Sequence, residues 1–315
     1  LIYFELILID TFTIIFVLEL VIGNLGNGFI ALVNCMDWVK RRKMSLVDRI
    51  LTALAISRIA LLWSVIITVL LFLLFPALGK TETMMRMINI IWLVTNHFSI
   101  WLATILSIFY FLKIANFSNS IFLYMKWRVK KVVSVTLLVS LVFLFSITVQ
   151  MGTYIGYLIN ENERNMSYRT RSSNPAELYR VTLILTTVYI SIPFTLSLTT
   201  FLLLIFSLLK HMKKMQHNAN GSRDASTMAH IKALQNVTVF LLLYSIFFLS
   251  LIVQVWSTKF LVKNETIFFC LAAGLTFPSI HSCVLILGNS KLRQLSLLVL
   301  WWLGCRFKDV ENSGP

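Results

Sequence analysis

Seven long apolar runs dominate this chain, near residues 8–35, 47–75, 87–112, 132–154, 179–209, 233–257 and 265–288, with short linkers between them. A helix that crosses a bilayer needs about 20 mostly apolar residues, and it satisfies its own backbone hydrogen bonds where lipid offers none. The runs therefore predict an all-α membrane protein, a seven-transmembrane helix bundle in which residues 1–315 form a single domain. Composition agrees. With 58% hydrophobic and 13% charged residues, a soluble domain of this length would carry too little charge. The N-terminal stretch carries Glu5 and Asp10 and no Lys or Arg, so it is expected to extend the first span rather than act as a signal peptide. The four cysteines, Cys35, Cys270, Cys283 and Cys305, avoid the longest linker on the outer side and suggest no disulfide framework.

Charge sets the orientation. The net charge of +15 sits in loops between apolar runs, a topology signal rather than a nucleic-acid surface. The first, third and fifth loops and the tail hold 19 of the 28 Lys and Arg residues, the alternate loops and their edges hold eight, and Arg58 lies within a span. The excess is expected in the cytosol, which puts the N-terminus outside and the C-terminus inside, in a multi-pass protein of the plasma membrane. Seven spans so oriented match the receptors that couple to G proteins. A transporter is the alternative, but no inverted hydropathy repeat or row of buried charges supports it. On this topology Asn165, in Asn165-Met166-Ser167, is the expected glycosylation site, and Asn264 hugs a helix start. The matches at Asn116, Asn220 and Asn236 fall in the cytosol or inside a helix.

Polar residues inside spans are costly and are functional candidates. Arg58 lies 12 residues from the inner end of the second run, about 18 Å at 1.5 Å per residue and so near the bilayer centre. Its guanidinium must face the bundle and find acceptors. Asn24 and Asn27 reach similar depth on the first helix, Glu19 lies farther out, and Ser282 with its neighbour His281 offers a partner on the seventh. Two readings remain open for this network: a structural clamp, or a clamp that rearranges on activation. His97 and His281 taken singly read as packing residues, and no metal spacing accompanies them. Pro193 and Pro278 are expected to kink their helices. Toward the outer side Trp92 and Asn96 are four apart on the third helix and share a face, with Leu93 beside them. Tyr244 and Phe247 are three apart on the sixth, and Tyr189 precedes Pro193 by one turn, with Thr186 a turn above. Asn96 supplies both a donor and an acceptor to an otherwise apolar and aromatic region, which suits recognition of varied small molecules.

These motifs together resemble the type 2 taste receptors, the bitter taste receptors. The resemblance rests on "ELVIGNLGNGFIALVN", "DRILTALAISRIALLW", "NHFSIWLATILSIFYFLKIANFS", "LYMKWRVKKVV", "PFTLSLTTFLLLIFSLLKHMKKMQ", "HIKALQNVTVFLLLY" and "PSIHSCVLILGNSKLRQ", which span essentially the whole chain. It implies a receptor for diverse bitter compounds that signals through gustducin or an inhibitory-type G protein to phospholipase C and calcium, with no cofactor and no catalysis. It implies Trp92 and Asn96 as pocket residues, Phe247 opposite them, and Leu271 at a pocket position that is polar or charged in some members. It also implies one glycan in the second outer loop, at Asn165, and no disulfide to the third helix. Cys283 stands where Phe is more usual. A chemosensory receptor of another class, odorant or pheromone, would need an acidic-arginine motif or outer disulfide that this chain lacks.

On the inner side, the resemblance places Lys113, with Asn116 and Ser118 just beyond it, where rhodopsin-like receptors carry that motif. With Lys126, Arg128, Lys213, Lys214 and Lys232 they are the expected G-protein contacts, while most of these cations also face anionic lipid. After Asn289, "SKLRQLSLLVLWWL" predicts a short amphipathic helix on the membrane surface over residues 290–303. The partners expected are therefore a bitter agonist, a heterotrimeric G protein and the bilayer, and a receptor oligomer is compatible with all three.

Overall fold

In the computed structural model the backbone is described for all residues except 1, 42, 80, 165–174, 219–224, 261–263 and 313–315, and side chains chiefly for 11–153, 180–213, 231–256 and 269–302. The described residues form ten helices: α1 (Ile2–Arg41), α2 (Leu46–Leu74), α3 (Pro76–Gly79), α4 (Glu82–Ile114), α5 (Ser120–Trp127), α6 (Val129–Arg164), α7 (Pro175–Asn218), α8 (Ala225–Phe260), α9 (Asn264–Gly288) and α10 (Ser290–Asn312). Seven are long and apolar enough to cross a membrane: α1, α2, α4, α6, α7, α8 and α9. The chain is a seven-helix, multi-pass membrane protein. Its Asn165 lies outside the described residues.

Local chemistry explains the breaks. Ser45 caps α2: its Oγ accepts from the Asp48 N–H at 3.1 Å and donates to the Asp48 carboxylate at 2.6 Å, a reciprocal arrangement that satisfies an orphan donor of the first turn. Asn289 separates α9 from α10, its Oδ1 accepting from the Lys291 and Leu292 N–H groups at 3.1 and 3.3 Å. Two short helices lie in linkers that the sequence reading leaves unstructured. Pro76 opens α3, a position where its missing N–H is no loss, and Asn119 caps α5 by accepting from the Ile121 N–H at 2.8 Å.

α4 is the central pillar. It packs against α2, α6 and α7, and 78% of its apolar stretch is buried, against 17% for α6 at the periphery. Small polar residues let it approach α7 closely. Ser197 donates to Thr104 at 2.9 Å, Thr104 reaches the Pro193 carbonyl at 3.2 Å, and Ser107 pairs with Thr200 at 3.1 Å. Such pairs join helices in lipid, where apolar contact alone gives no preference for a neighbouring helix over lipid tails. On the other flank α1 packs against α2 and α9, and α8 against α7 and α9. At the end of the bundle where the basic linkers gather, the Lys291 ammonium meets the Asp37 carboxylate at 2.6 Å and Asn34 Oδ1 at 3.2 Å, which fastens α10 to α1.

Candidate functional site

Arg58 of α2 is fully buried. Its Nη2 donates to His281 Nδ1 on α9 at 2.7 Å, and its guanidinium lies 4.8 Å from the centroid of Phe277, one turn away from His281. Because a guanidinium only donates, Nδ1 accepts, and the imidazole carries its proton on Nε2. His281 is itself clamped, stacked on Phe277 at 5.2 Å and meeting Phe240 edge-on at 4.6 Å.

Of the partners the sequence offers Arg58, His281 is thus the one that meets it, while Asn24, Asn27 and Ser282 bond elsewhere. Asn24 turns back on its own helix, donating to the Leu20 carbonyl at 2.8 Å. Asn27 donates to Gly23 at 2.8 Å and to the Pro278 carbonyl at 3.0 Å, so it ties α1 to the proline of α9. Ser282 donates to the Ser279 carbonyl at 2.6 Å. Farther toward the opposite end Thr276 donates to Glu19 at 2.6 Å, a second α1–α9 tie. Two glycines make these ties reachable. A Cβ on Gly23 would stand 2.6 Å from Ser279 Oγ and 2.7 Å from Leu62 Cδ1, and one on Gly26 would collide with Ser282 Oγ. The "GNLGN" spacing carried this signal, and the sequence reading passes over it.

Away from the basic end, α4 presents Leu93 and Asn96 buried and Trp92 half-buried. Thr186 and Leu271 are also half-buried. Tyr189 is buried and hydrogen-bonds His97 through Nδ1, so that histidine joins α4 to α7. Tyr244 is buried among Phe194, Phe240, Phe247 and Phe277. Phe247 stacks near Tyr244 at 6.1 Å and leans on Phe277 at 5.2 Å. A continuous chain of contacts thus runs from Phe247 through Phe277 to His281 and Arg58.

That chain ends at a cavity. At the basic end, α4, α7, α8, α9 and α10 enclose about 430 Å³, walled by apolar residues such as Leu106 and Phe240, with Lys232 and Arg293 also in its lining and His281 among its wall residues. This volume falls in the range of sites that receive compact ligands. Lys113, Ser118, Arg128 and Lys213 are exposed at the same end, and the Lys214 side chain lies outside the described residues. The exposed Asn116 binds through its backbone, donating to Ser207 Oγ at 3.0 Å, and the Lys126 ammonium donates to the Ala115 carbonyl at 2.9 Å. Both contacts fix the end of α4 against its neighbours.

A seven-helix bundle joined through a buried polar junction to a cavity at one end is the form of a membrane receptor. The family model for taste receptor protein (TAS2R) matches residues 6–304. The chain is 58% identical to taste receptor type 2 member 14 of Papio hamadryas over 303 residues, 96% of this chain and 95% of the relative. It is 56% identical to taste receptor type 2 member 125 of Rattus norvegicus over 301 residues, 96% of each. It is 57% identical to member 14 of Homo sapiens over 303 residues, 96% and 95% of the two chains. The chain belongs to the type 2 taste receptor family of G-protein-coupled receptors.

Proposed function

We propose that this receptor detects bitter small molecules from outside the cell and passes the signal to gustducin or an inhibitory-type G protein, and so to phospholipase C and calcium. The basic end faces the cytosol of a cell whose plasma membrane the bundle spans, and Asn165 carries the outer glycan. The agonist binds in the outer half against Trp92, Leu93, Asn96, Thr186, Tyr189, Tyr244, Phe247 and Leu271. The observation that carries this reading is the relay of side chains: Phe247 to Phe277 at 5.2 Å, Phe277 to His281 at 5.2 Å, and His281 to Arg58 at 2.7 Å, with His281 lining the inner cavity.

Mechanistically, a ligand held by Asn96 and packed against Trp92 presses on Phe247 and changes its stacking on Phe277. Phe277 touches both His281 and Arg58, so any shift of its ring alters the packing of the junction. α8 contributes Phe240 and Phe247 to this stack and Lys232 to the cavity, so its movement widens the cavity toward the G protein. Lys113, Asn116, Ser118, Lys126, Arg128, Lys213, Lys214 and Lys232 frame that opening. A packed core has discrete arrangements rather than a continuum, which makes it a switch.

Trp92→Ala and Asn96→Ala are each expected to raise the half-maximal agonist concentration about tenfold, the loss of one well-placed anchor or buried hydrogen bond. Surface receptor should stay unchanged, because neither residue joins the junction. Calcium dose–response curves read the effect, and unaltered curves for both variants reject the pocket. Asn165→Gln is expected to abolish the gel shift produced by an N-glycosidase. Persistence of that shift would move the glycan elsewhere.

A further inference from the structure

α5 ends in an unusual arginine. Arg128 occupies the break between α5 and α6, its N–H donating to the Tyr124 carbonyl at 3.1 Å. Its guanidinium lies 5.3 Å from the ring of Tyr124 and 5.4 Å from that of Trp127, so two aromatic faces hold it. Stacking of this kind fixes the plane of the guanidinium and leaves its N–H edge directed away from the rings. The two rings are themselves 56% and 78% exposed, and Ile121 is 69% exposed. On its other side α5 is anchored by Phe122, buried edge-on against Phe111 and Phe117 at 5.3 Å each.

The next turn adds charge. Val129 and Val133 turn into the bundle, each 8% exposed, while Lys130 and Lys131, within three residues of Arg128, are exposed. Lys126 is occupied with the Ala115 carbonyl. The result is a corner with apolar, aromatic and cationic groups together, where Ile121, Tyr124 and Trp127 call for an apolar neighbour and three cations call for an anionic one. An anionic lipid answers both, its acyl chains beside the rings and its head group on the cations. A phosphate monoester carries nearly two negative charges and three terminal oxygens, so it can take the Arg fork through two parallel hydrogen bonds and still serve the lysines, which a singly charged diester does less well.

We propose that this corner is a head-group site for an inner-leaflet phospholipid that carries phosphate monoesters, with Arg128 as the bidentate ligand and Lys130 and Lys131 completing the charge. It rests on the cytosolic placement of the basic end, where anionic lipids concentrate. Lipid bound there holds α5, and through Phe122, Phe111 and Phe117 the inner end of α4.

The test uses the full-length receptor in phosphatidylcholine nanodiscs, which expose both faces, so orientation does not affect the reading. An N-terminal epitope scored on intact cells reports orientation separately. Binding of fluorescent phosphatidylinositol 4,5-bisphosphate is measured with phosphatidylserine at equal charge, or soluble inositol trisphosphate, as competitor. Arg128→Gln is expected to weaken binding about tenfold, the equivalent of one charge-assisted hydrogen bond, and Trp127→Ala about threefold, because it removes one of the two rings that hold the guanidinium. Arg128→Lys should not restore it, and the Lys130→Gln, Lys131→Gln pair should weaken it further. Unchanged melting temperatures show that the variants are folded. Unchanged affinity in Arg128→Gln, or displacement by phosphatidylserine as effective as by the bisphosphate lipid, overturns the site. Equally tight binding of the soluble head group overturns its assignment to lipid. Reduced G-protein activation in Arg128→Gln with lipid affinity intact would leave Arg128 as a G-protein contact alone and overturn the lipid site.

Discussion

His281→Ala is expected to remove most receptor from the cell surface and to silence the rest for every agonist. The substitution leaves Arg58 fully buried without its hydrogen-bonded partner on α9. Stranding a buried charge in this way costs about 3–5 kcal/mol, a large fraction of the roughly 5–15 kcal/mol that holds a typical protein folded. Arg58→Ala also silences the receptor, because the α2–α9 tie and the contact with Phe277 disappear together. Its folding defect is the smaller of the two, since no charge is left behind.

The paired variant separates clamp from switch. Apolar replacement of both partners of a buried polar pair is often neutral for stability. Arg58→Met with His281→Phe should therefore regain surface expression. If the junction rearranges on activation, the double variant stays unresponsive; if it is only a clamp, agonist responses return with expression. Wild-type surface levels in His281→Ala would show that the 2.7 Å contact does not hold the bundle.

The glycines of α1 give the second large effect. A valine at Gly23 has nowhere to place its Cβ, which would lie 2.6 Å from Ser279 Oγ and 2.7 Å from Leu62 Cδ1. α1 must then move off α9 and α2, and the Asn27 bond to the Pro278 carbonyl and the Glu19 bond to Thr276 are lost with it. Overpacking alone costs about 1–3 kcal/mol, and the broken ties add to it. Gly23→Val should fail to reach the surface and melt at a much lower temperature in detergent. Gly26→Ala should be milder and should recover when paired with Ser282→Gly, because the collision is with the Ser282 side chain. Gly28→Ala is the control, since its Cβ would meet nothing within 4 Å. Equal melting temperatures for Gly23→Val and Gly28→Ala would contradict the close approach of α1.

How these residues are wired was harder to read from the chain than which residues mattered. Hydropathy located the seven spans, because lipid demands long apolar helices whatever their neighbours. Arg58 stood out for the same reason. Its partner on α9 stayed open between Ser282 and His281, since that choice depends on how α2 and α9 are rotated about their axes, and no single-sequence period fixes that. Asn24 and Asn27 are three residues apart, yet one bonds within its helix and the other reaches α9. Taken singly His281 reads as packing, because its role comes from Phe277 and Phe240 as much as from Arg58. α5 has eight residues, too few for a hydrophobic period to emerge from a basic linker. The cavity at the basic end is a gap among five helices and leaves no mark on any one of them.

Bitter-compound detection is tested most directly by calcium imaging of cells that co-express this receptor with a gustducin-type G protein. A panel of structurally varied bitter compounds is applied to wild type and to Trp92→Ala and Asn96→Ala, with surface receptor measured in parallel. The account predicts concentration-dependent responses to members of the panel in wild type, shifted to higher concentration in both variants and absent without the receptor. Silence of a surface-expressed wild type across the whole panel would contradict it.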